Sequence, residues 1–117
     1  MKKYIWLMVL VGLLMIPVLS IAEDSYKYSG AKTADAIISN TPGRFRGLIV
    51  IADGTTGCSV SIHDSLTNAG AKIVPTFTVA AGEKTGGGLW PFPVSVNTAI
   101  FADMTTTGTC EYEVYYQ

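Results

Sequence analysis

The amino-acid sequence predicts an all-β protein: a single β-sandwich or jelly roll of seven or eight short antiparallel strands, preceded by an N-terminal signal helix. After the first 22 residues, apolar and polar residues alternate with a period of two, and no segment sustains the 3.6-residue period of an amphipathic helix. The alternating segments are rich in β-branched residues, and short clusters of Gly, Asn and Asp separate them. An open barrel is the alternative all-β architecture.

Residues 1–22 have the features of a cleavable signal peptide. Two lysines precede an apolar run over residues 5–16, Pro17 then breaks the helix, and Ser20 and Ala22 supply small side chains at the positions that a signal peptidase reads. The run is shorter than the roughly 20 apolar residues of a membrane span, which is the alternative interpretation. We therefore expect cleavage after Ala22, a secreted, periplasmic or cell-surface location, and membrane contact only through the signal segment before cleavage.

The remaining chain divides into a polar lead-in or edge strand, residues 23–34, and a β-sandwich domain, residues 35–117. Without Lys2 and Lys3, six of the eight basic residues remain against nine acidic ones, so the net charge is −3. Nucleic-acid binding needs a clustered basic surface, and anionic lipid needs a polybasic stretch. Because the sequence has neither, we expect no nucleic-acid partner.

The domain is expected to contain strands over residues 35–39, 44–52, 58–64, 72–79, 89–96, 98–103 and 109–116. The second of these is apolar on both faces at its centre, which is typical of a mid-sheet strand that is covered twice. Pro91 and Pro93 cannot donate hydrogen bonds to a neighbouring strand, so their strand should lie at a sheet edge. We expect Asp53–Gly57 to be a hairpin connection and Ala80–Gly88 to be a glycine-rich loop.

Cys58 and Cys110 each lie on the apolar face of their expected strand. In an oxidising compartment an even number of cysteines indicates a disulfide, and closing a loop of roughly 50 residues is worth about 4 kcal/mol. His63 is the one histidine in the sequence, which is too few for a two-His copper site or a Cys/His zinc site. We expect no metal and no cofactor.

The sequence contains no convincing catalytic set. His63 and Asp64 could belong to a nucleophilic triad, but the alternation turns His63 and Ser61 to the solvent face, and there is no Gly-x-Ser-x-Gly elbow. Asp53, Asp64 and Asp103 each stand where a strand meets a turn, where Asp commonly accepts hydrogen bonds from local backbone. Residues 82–88 lack the residue order of a phosphate loop. We therefore predict a non-enzymatic protein with no catalytic residues.

Aromatic residues supply the candidate binding surface. Trp90, Phe92, Tyr112 and Tyr116 share an inferred inward face, so most of them should belong to the core, whereas three other tyrosines should be partly exposed. Exposed tyrosines can stack on sugar rings or form a subunit interface. The strand over residues 44–52 is apolar on both faces, so its second face must be covered by the N-terminal segment or by another subunit. The candidate interface or ligand surface comprises Tyr26, Tyr28, Leu48, Val50, Trp90 and Tyr115.

A series of turn and strand motifs runs from residue 44 onward. The motifs are Gly47–Thr55 (GLIVIADGT), Val60–Asp64 (VSIHD), Lys72–Pro75 (KIVP), Trp90-Pro91, Thr105–Gly108 (TTTG) and Val114–Tyr116 (VYY). In this order they resemble small, mostly uncharacterised β-sandwich proteins encoded in phage and prophage genomes, often near structural genes. The resemblance implies a β-sandwich with a structural role. The signal peptide and the cysteine pair depart from that group and favour a host-encoded or surface-displayed relative.

Two function hypotheses follow. The first is a non-enzymatic exported structural or interaction protein that assembles with itself, or attaches to a surface or virion-like structure, through edge strands and exposed tyrosines. The second is a carbohydrate-binding module that uses Trp90 or the exposed tyrosines, with an Asp-rich turn as a candidate calcium site. The expected partners are a second copy of the chain, another surface or structural protein, or a glycan.

Overall fold

The computed structural model describes residues 25–106 and 110–117. The predicted signal helix and its cleavage site lie outside the described residues. Within them the chain is all-β, as predicted, with eight strands: β1 Lys27–Tyr28, β2 Ala36–Ser39, β3 Gly43–Ala52, β4 Cys58–Asp64, β5 Ala71–Val79, β6 Lys84–Val96, β7 Ile100–Thr106 and β8 Cys110–Tyr116.

The strands form two four-stranded antiparallel sheets. The front sheet has the order β1-β8-β3-β6, and the back sheet has the order β2-β7-β4-β5. The strand pairs are nested, β4 with β5, β3 with β6, β2 with β7 and β1 with β8. Rolling up one long antiparallel ribbon gives this nesting, which is the topology of a jelly roll. As predicted, β3 lies mid-sheet and the proline-bearing β6 lies at an edge.

The core lies between the two sheets, because inward-facing residues alternate with outward-facing ones along the strands. The buried apolar residues of both sheets form one cluster, made of Phe45, Leu48, Val50, Ala52, Cys58, Val60, Ile62, Val74, Val79, Val96, Ile100, Ala102, Met104, Cys110, Tyr112 and Val114. The Tyr112 hydroxyl donates a hydrogen bond to the Ala34 carbonyl at 2.7 Å. A large ring is thereby buried without leaving its hydroxyl unpaired.

A disulfide joins Cys58 of β4 to Cys110 of β8, with their Cα atoms 6.1 Å apart. The bond therefore ties the back sheet to the front sheet. Both cysteines are buried, because the alternation places both sulfurs on inward faces. The disulfide expected from the sequence is confirmed, and it is consistent with an oxidising compartment.

The segment Asp53–Gly57 is not the hairpin connection that the sequence predicts. It leads from β3 in the front sheet to β4 in the back sheet. The Asp53 carboxylate fixes the turn by accepting hydrogen bonds from the backbone N–H groups of Thr55 and Thr56, at 2.9 and 2.6 Å. An Asp-Gly pair marks a turn, but it does not determine whether the chain reverses within one sheet or crosses to the other.

The predicted glycine-rich loop is also shorter than expected, because β6 already begins at Lys84 and pairs with β3. The two backbones approach so closely that a Cβ atom at Gly47 would lie 1.9 Å from the Gly88 carbonyl oxygen. Gly47 also has a φ of +144°, which side-chain-bearing residues rarely adopt. Glycine in this part of the sequence therefore permits strand pairing rather than forming a loop.

An irregular segment interrupts β6 at the edge of the front sheet. The register against β3 shifts between Phe45 and Gly47, and residues 90–93 lie opposite a single residue of β3. The Trp90 ring packs edge-to-face on Phe45 at a centroid distance of 5.0 Å, whereas Phe92 is 80% exposed. The prediction that Phe92 faces inward is wrong, because the extra residues break the alternation.

Candidate functional site

The outward surface of the front sheet, called the front face below, carries an apolar ridge on its central strand. Ile49 and Ile51 of β3 alternate with core residues and point outward, and Ile51 is 46% exposed. Leu89 on the neighbouring strand β6 is also exposed. Single exposed apolar residues are common, but neighbouring ones on a central strand make this face a candidate interaction surface.

Charged residues of opposite sign flank this ridge on its two sides. In the antiparallel register Ile51 lies opposite Glu111 of β8 and opposite Lys84 of β6, while Ile49 lies opposite Glu113 of β8. Directly opposite residues project from the same face of a sheet. The acids therefore stand on the β8 side of the ridge and the lysine on the β6 side. Within the described part of the chain, neither Glu111 nor Lys84 has an ion-pair partner.

Two shallow grooves run beside the ridge, and Ile49 separates them. The groove on the β8 side encloses about 160 Å³ and is lined by Ala31, Ile49, Ile51, Glu111, Tyr112 and Glu113. The groove on the β6 side encloses about 330 Å³ and is lined by Ile49, Lys84, Thr85 and Gly88. The second groove is open because glycine has no side chain to fill it. The front face is thus a ridge between an acidic and a basic groove.

Three residues of the candidate surface are placed differently from the sequence expectation. Leu48 and Val50 are buried in the core, and their outward neighbours Ile49 and Ile51 form the front face instead. A strand that is apolar on both sides does not reveal which side faces inward, so the sequence could not separate the two sets. Trp90 is half-buried and packs against the core, so it is not an exposed platform.

The tyrosines of the candidate surface lie at the β1 edge of the front sheet. Tyr28 and Tyr115 form a cross-strand pair, and Tyr28 is strongly exposed. The Arg46 guanidinium donates a hydrogen bond to the Tyr26 hydroxyl at 2.9 Å and lies 4.8 Å from its ring centroid. Partial desolvation, with the charge and hydrogen bond of Glu113, raises the pKa of Tyr115. The expected partial exposure of these tyrosines is confirmed.

The outward surface of the back sheet, called the back face below, holds a polar cluster centred on His63. Its Nδ1 lies 2.9 Å from the Gly70 carbonyl oxygen, and its Nε2 lies 3.0 Å from the Ser61 Oγ. Since a carbonyl only accepts, Nδ1 donates its hydrogen to Gly70, and Nε2 is paired with the Ser61 hydroxyl. The Asp103 carboxylate lies 4.0 Å from Nε2. The fold thus brings a serine, a histidine and an aspartate together.

Ser61 and His63 are only 3% and 2% exposed. The predicted exposed histidine is therefore wrong. The alternation does turn its ring away from the core, but the β4–β5 connection contributes the Gly70 carbonyl and the Phe101 ring packs edge-on at 6.4 Å. A serine nucleophile needs a substrate atom within roughly 3–3.5 Å of its oxygen. With Ser61 only 3% exposed, its hydroxyl is shielded from such an approach.

Asp53 and Asp64 lie at strand ends and stabilise turns, as the sequence suggests. Asp103 instead lies inside β7 opposite Ser61, so its predicted place at a turn is wrong. The Asp64 carboxylate accepts hydrogen bonds from the backbone N–H groups of Asn97, Thr98 and Ala99, at 2.9, 2.7 and 3.3 Å. Desolvation raises the pKa of Asp64, but these three donors outweigh it and hold the pKa below its ordinary value. Across the described ranges, no group of three or more His, Cys, Asp or Glu side chains is placed to hold a metal ion.

Comparison with known proteins gave no match to a family model, a curated protein or a solved structure. No helix among residues 25–106 and 110–117 is long and apolar enough to span a bilayer. Function is therefore inferred from the fold and its two outer faces.

Sequence reasoning missed the residues that distinguish these faces. Ile49 and Ile51 would have emerged from the register of β3 against β8, because Val50 pairs with the buried Tyr112. That register joins segments far apart in the chain and has no local signal. The burial of His63 likewise depends on Gly70, seven residues away across a hairpin.

Proposed function

We propose that this protein is a non-enzymatic, exported building block that associates with itself through the front face. The observation that carries the proposal is the ridge of the half-buried Ile49 and the exposed Ile51 on the central strand of a sheet, where apolar side chains at the surface add little to the stability of a monomer. Export is supported by the Cys58–Cys110 disulfide and by the signal-like first 22 residues.

The strand edges favour association through a face rather than by strand addition. An edge strand accepts another chain when it is long, flat and able to form backbone hydrogen bonds. β1 has two residues and β2 has four, and the longer edge strands β5 and β6 contain Pro75 and the pair Pro91 and Pro93. Proline lacks the N–H donor that a new strand would need. The edge strands expected to mediate assembly are therefore poor templates.

Mass measurement in solution tests the self-association. Protein purified after export should show a mass that rises with concentration in light scattering or sedimentation, and Ile51→Ser should abolish that rise. The matched control is Ile37→Ser, which removes an isoleucine of similar exposure, 52% against 46%, from the back sheet. A wild-type mass that stays monomeric at millimolar concentration, or equal effects of the two variants, would contradict the proposal.

The non-enzymatic part of the proposal is supported by the burial of Ser61 and His63. Activated aryl esters are sensitive probes for a serine nucleophile activated by a histidine. We expect the wild type to hydrolyse them no faster than Ser61→Ala. Turnover that disappears in Ser61→Ala, while that variant remains folded by circular dichroism, would show the protein to be a hydrolase.

Carbohydrate binding is the second candidate function, and the Tyr28–Tyr115 pair favours it. Two tyrosines side by side at a sheet edge, with Glu113 hydrogen-bonded to one of them, offer a stacking surface with a polar acceptor. A glycan array with and without calcium tests this candidate. Tyr28→Ala should abolish any signal, whereas Phe92→Ala, which removes another exposed aromatic ring, should not. Silence of the wild type under both conditions would eliminate this candidate.

A further inference from the structure

We infer that the front face binds a second copy of this chain around a two-fold axis that runs along β3. The inference rests on the proposed self-association and specifies its geometry. In this arrangement the two β3 strands lie over each other, and β8 of each copy lies over β6 of the other. The register of charged and apolar residues across the front sheet leads to this geometry.

A two-fold axis parallel to the central strand has a simple consequence for facing sheets. Rotation by 180° preserves position along β3 but exchanges the two sides of the sheet, so the same patch serves both copies. Facing sheets pack about 10 Å apart with their strands within about 30° of each other. Residues close to the axis therefore meet their own copies, and residues on β8 meet residues on β6 at the same level.

The residues of β8 and β6 that lie opposite one residue of β3 are called a level below. Opposite charges face each other between the two copies at the level of Ile51. Glu111 and Lys84 both lie opposite Ile51 on adjacent strands, so the axis places Glu111 of each copy over Lys84 of the other. Two symmetry-related ion pairs form on either side of the stacked Ile51 residues. Both side chains are exposed and unpaired among the described residues, so each is available to a partner.

The other two levels are complementary in shape and polarity. Tyr115 and Leu89 both lie opposite Gly47, so the tyrosine of each copy meets the leucine of the other. At the level of Ile49, the β8 strand presents Glu113, whereas the β6 side has the open groove beside Gly88. An outward-pointing side chain on one copy therefore meets an opening on the other.

An axis across the strands is much less favourable. It would reverse position along β3 and place the level of Ile51 over the level of Gly47. Glu111 would then lie over Tyr115 and Lys84 over Leu89, which leaves the Glu111 and Lys84 charges of both copies without partners. Charge complementarity thus selects the axis along β3.

The size of the patch determines the concentration at which association is observed. Three levels along the three overlapping strands, β8, β3 and β6, cover roughly 20 by 15 Å, or about 300 Å² per copy, against the roughly 800 Å² of a standard interface. We expect a weak dimer that requires concentrations of hundreds of micromolar or more in purified protein. A surface array that holds copies close together would supply such a concentration.

Charge reversal tests the two-fold geometry. Glu111→Lys places like charges over Lys84 twice in the homodimer, and Lys84→Glu places like charges over Glu111 twice. Each single variant should therefore dimerise at least roughly tenfold more weakly. An equimolar mixture of the two should recover the wild-type affinity, because every facing pair is then of opposite charge. The double variant E111K/K84E should also recover it.

Glu83→Lys is the matched control, because it makes the same change in net charge at an exposed position in the preceding turn. It should leave the wild-type affinity unchanged, and all variants should retain the wild-type Tm. If wild type and Ile37→Ser dimerise while Ile51→Ser does not, but the mixture fails to recover affinity, the geometry is wrong and self-association stands. If the wild type is a monomer throughout, the proposed function fails together with the geometry.

Discussion

The two outer faces of the sandwich differ in a way that their compositions alone would not suggest. On the front face the apolar side chains of Ile49 and Ile51 lie at the surface, whereas on the back face the polar side chains of Ser61 and His63 are buried. The back-face groups satisfy one another, since both ring nitrogens of His63 have hydrogen-bond partners. The front-face groups have no equivalent partners among residues 25–106 and 110–117.

This difference separates residues that stabilise the fold from residues available to a partner. Buried polar groups are tolerated when their hydrogen bonds are complete, and they become expensive when one partner is removed. Exposed apolar groups add little to the stability of a monomer and favour association. We therefore expect substitutions on the back face to change stability and substitutions on the front face to change oligomeric state.

The largest change in the free energy of unfolding should come from removing the disulfide that joins the two sheets. The variant C58A/C110A removes the covalent link between β4 and β8, whose cysteines are 52 residues apart, and should lower the free energy of unfolding by about 4 kcal/mol. Urea unfolding measures the loss. Wild type treated with a reductant serves as the control and should show a similar decrease. A loss below about 1 kcal/mol would mean that the sheets are held by packing alone.

On the back face, His63→Ala should lower the free energy of unfolding by about 3 kcal/mol, because it leaves the Ser61 hydroxyl and the Gly70 carbonyl without partners and creates a cavity. Ser61→Ala removes one hydrogen bond and should cost about 1 kcal/mol. Chemical denaturation measures both, and dimerisation should be unchanged. Wild-type stability of His63→Ala would contradict the structural role of the cluster.

Asp64 links the end of β4 to the turn between β6 and β7, and its contribution should depend on pH. Because its pKa is lowered in the folded state, its stabilisation is present above its unfolded pKa of about 4 and is lost as the pH falls through the folded value. Asp64→Asn should therefore be less stable than wild type by roughly 2 kcal/mol at pH 6, and the two should converge towards pH 2. A constant difference across that range would exclude the carboxylate charge as the cause.

The smallest change in stability should occur on the front face. Ile51→Ser removes an exposed side chain and should change the free energy of unfolding of the monomer by no more than about 0.5 kcal/mol. Thermal unfolding in dilute solution measures this, with Ile37→Ser as the comparison. A large loss would place Ile51 among the residues that hold the fold together and would remove the contrast between the faces.

Local patterns predicted much of this molecule. The alternation of apolar and polar residues identified the long strands, and the proline pair placed β6 at a sheet edge. The position of both cysteines on apolar strand faces predicted the disulfide. Features that depend on distant pairing were not predictable. The sequence does not show that Asp53–Gly57 crosses between sheets, since an Asp-Gly turn is compatible with both routes. Nor does it show that Phe92 is exposed, because that depends on an irregular register against β3.

The resemblance to phage-encoded β-sandwich proteins implies a structural role, and that role remains a proposal here. The front face gives the proposal a concrete surface that does not depend on the resemblance. Genomic neighbours that encode secretion or surface proteins would agree with export, and a cassette of virion genes would favour a particle component.

The nested strand pairing also determines the order in which this chain can fold. Among the described strands, β4 and β5 are the one antiparallel pair joined directly along the chain, and each further pair encloses the previous one. Such long-range pairing is characteristic of domains that fold in milliseconds to seconds rather than microseconds. β1 leaves the ribosome or the export channel before any other strand and acquires its partner β8 last. We therefore expect a half-finished chain to expose its front sheet until the C-terminal strand arrives, which makes this interval the period of greatest vulnerability to proteases.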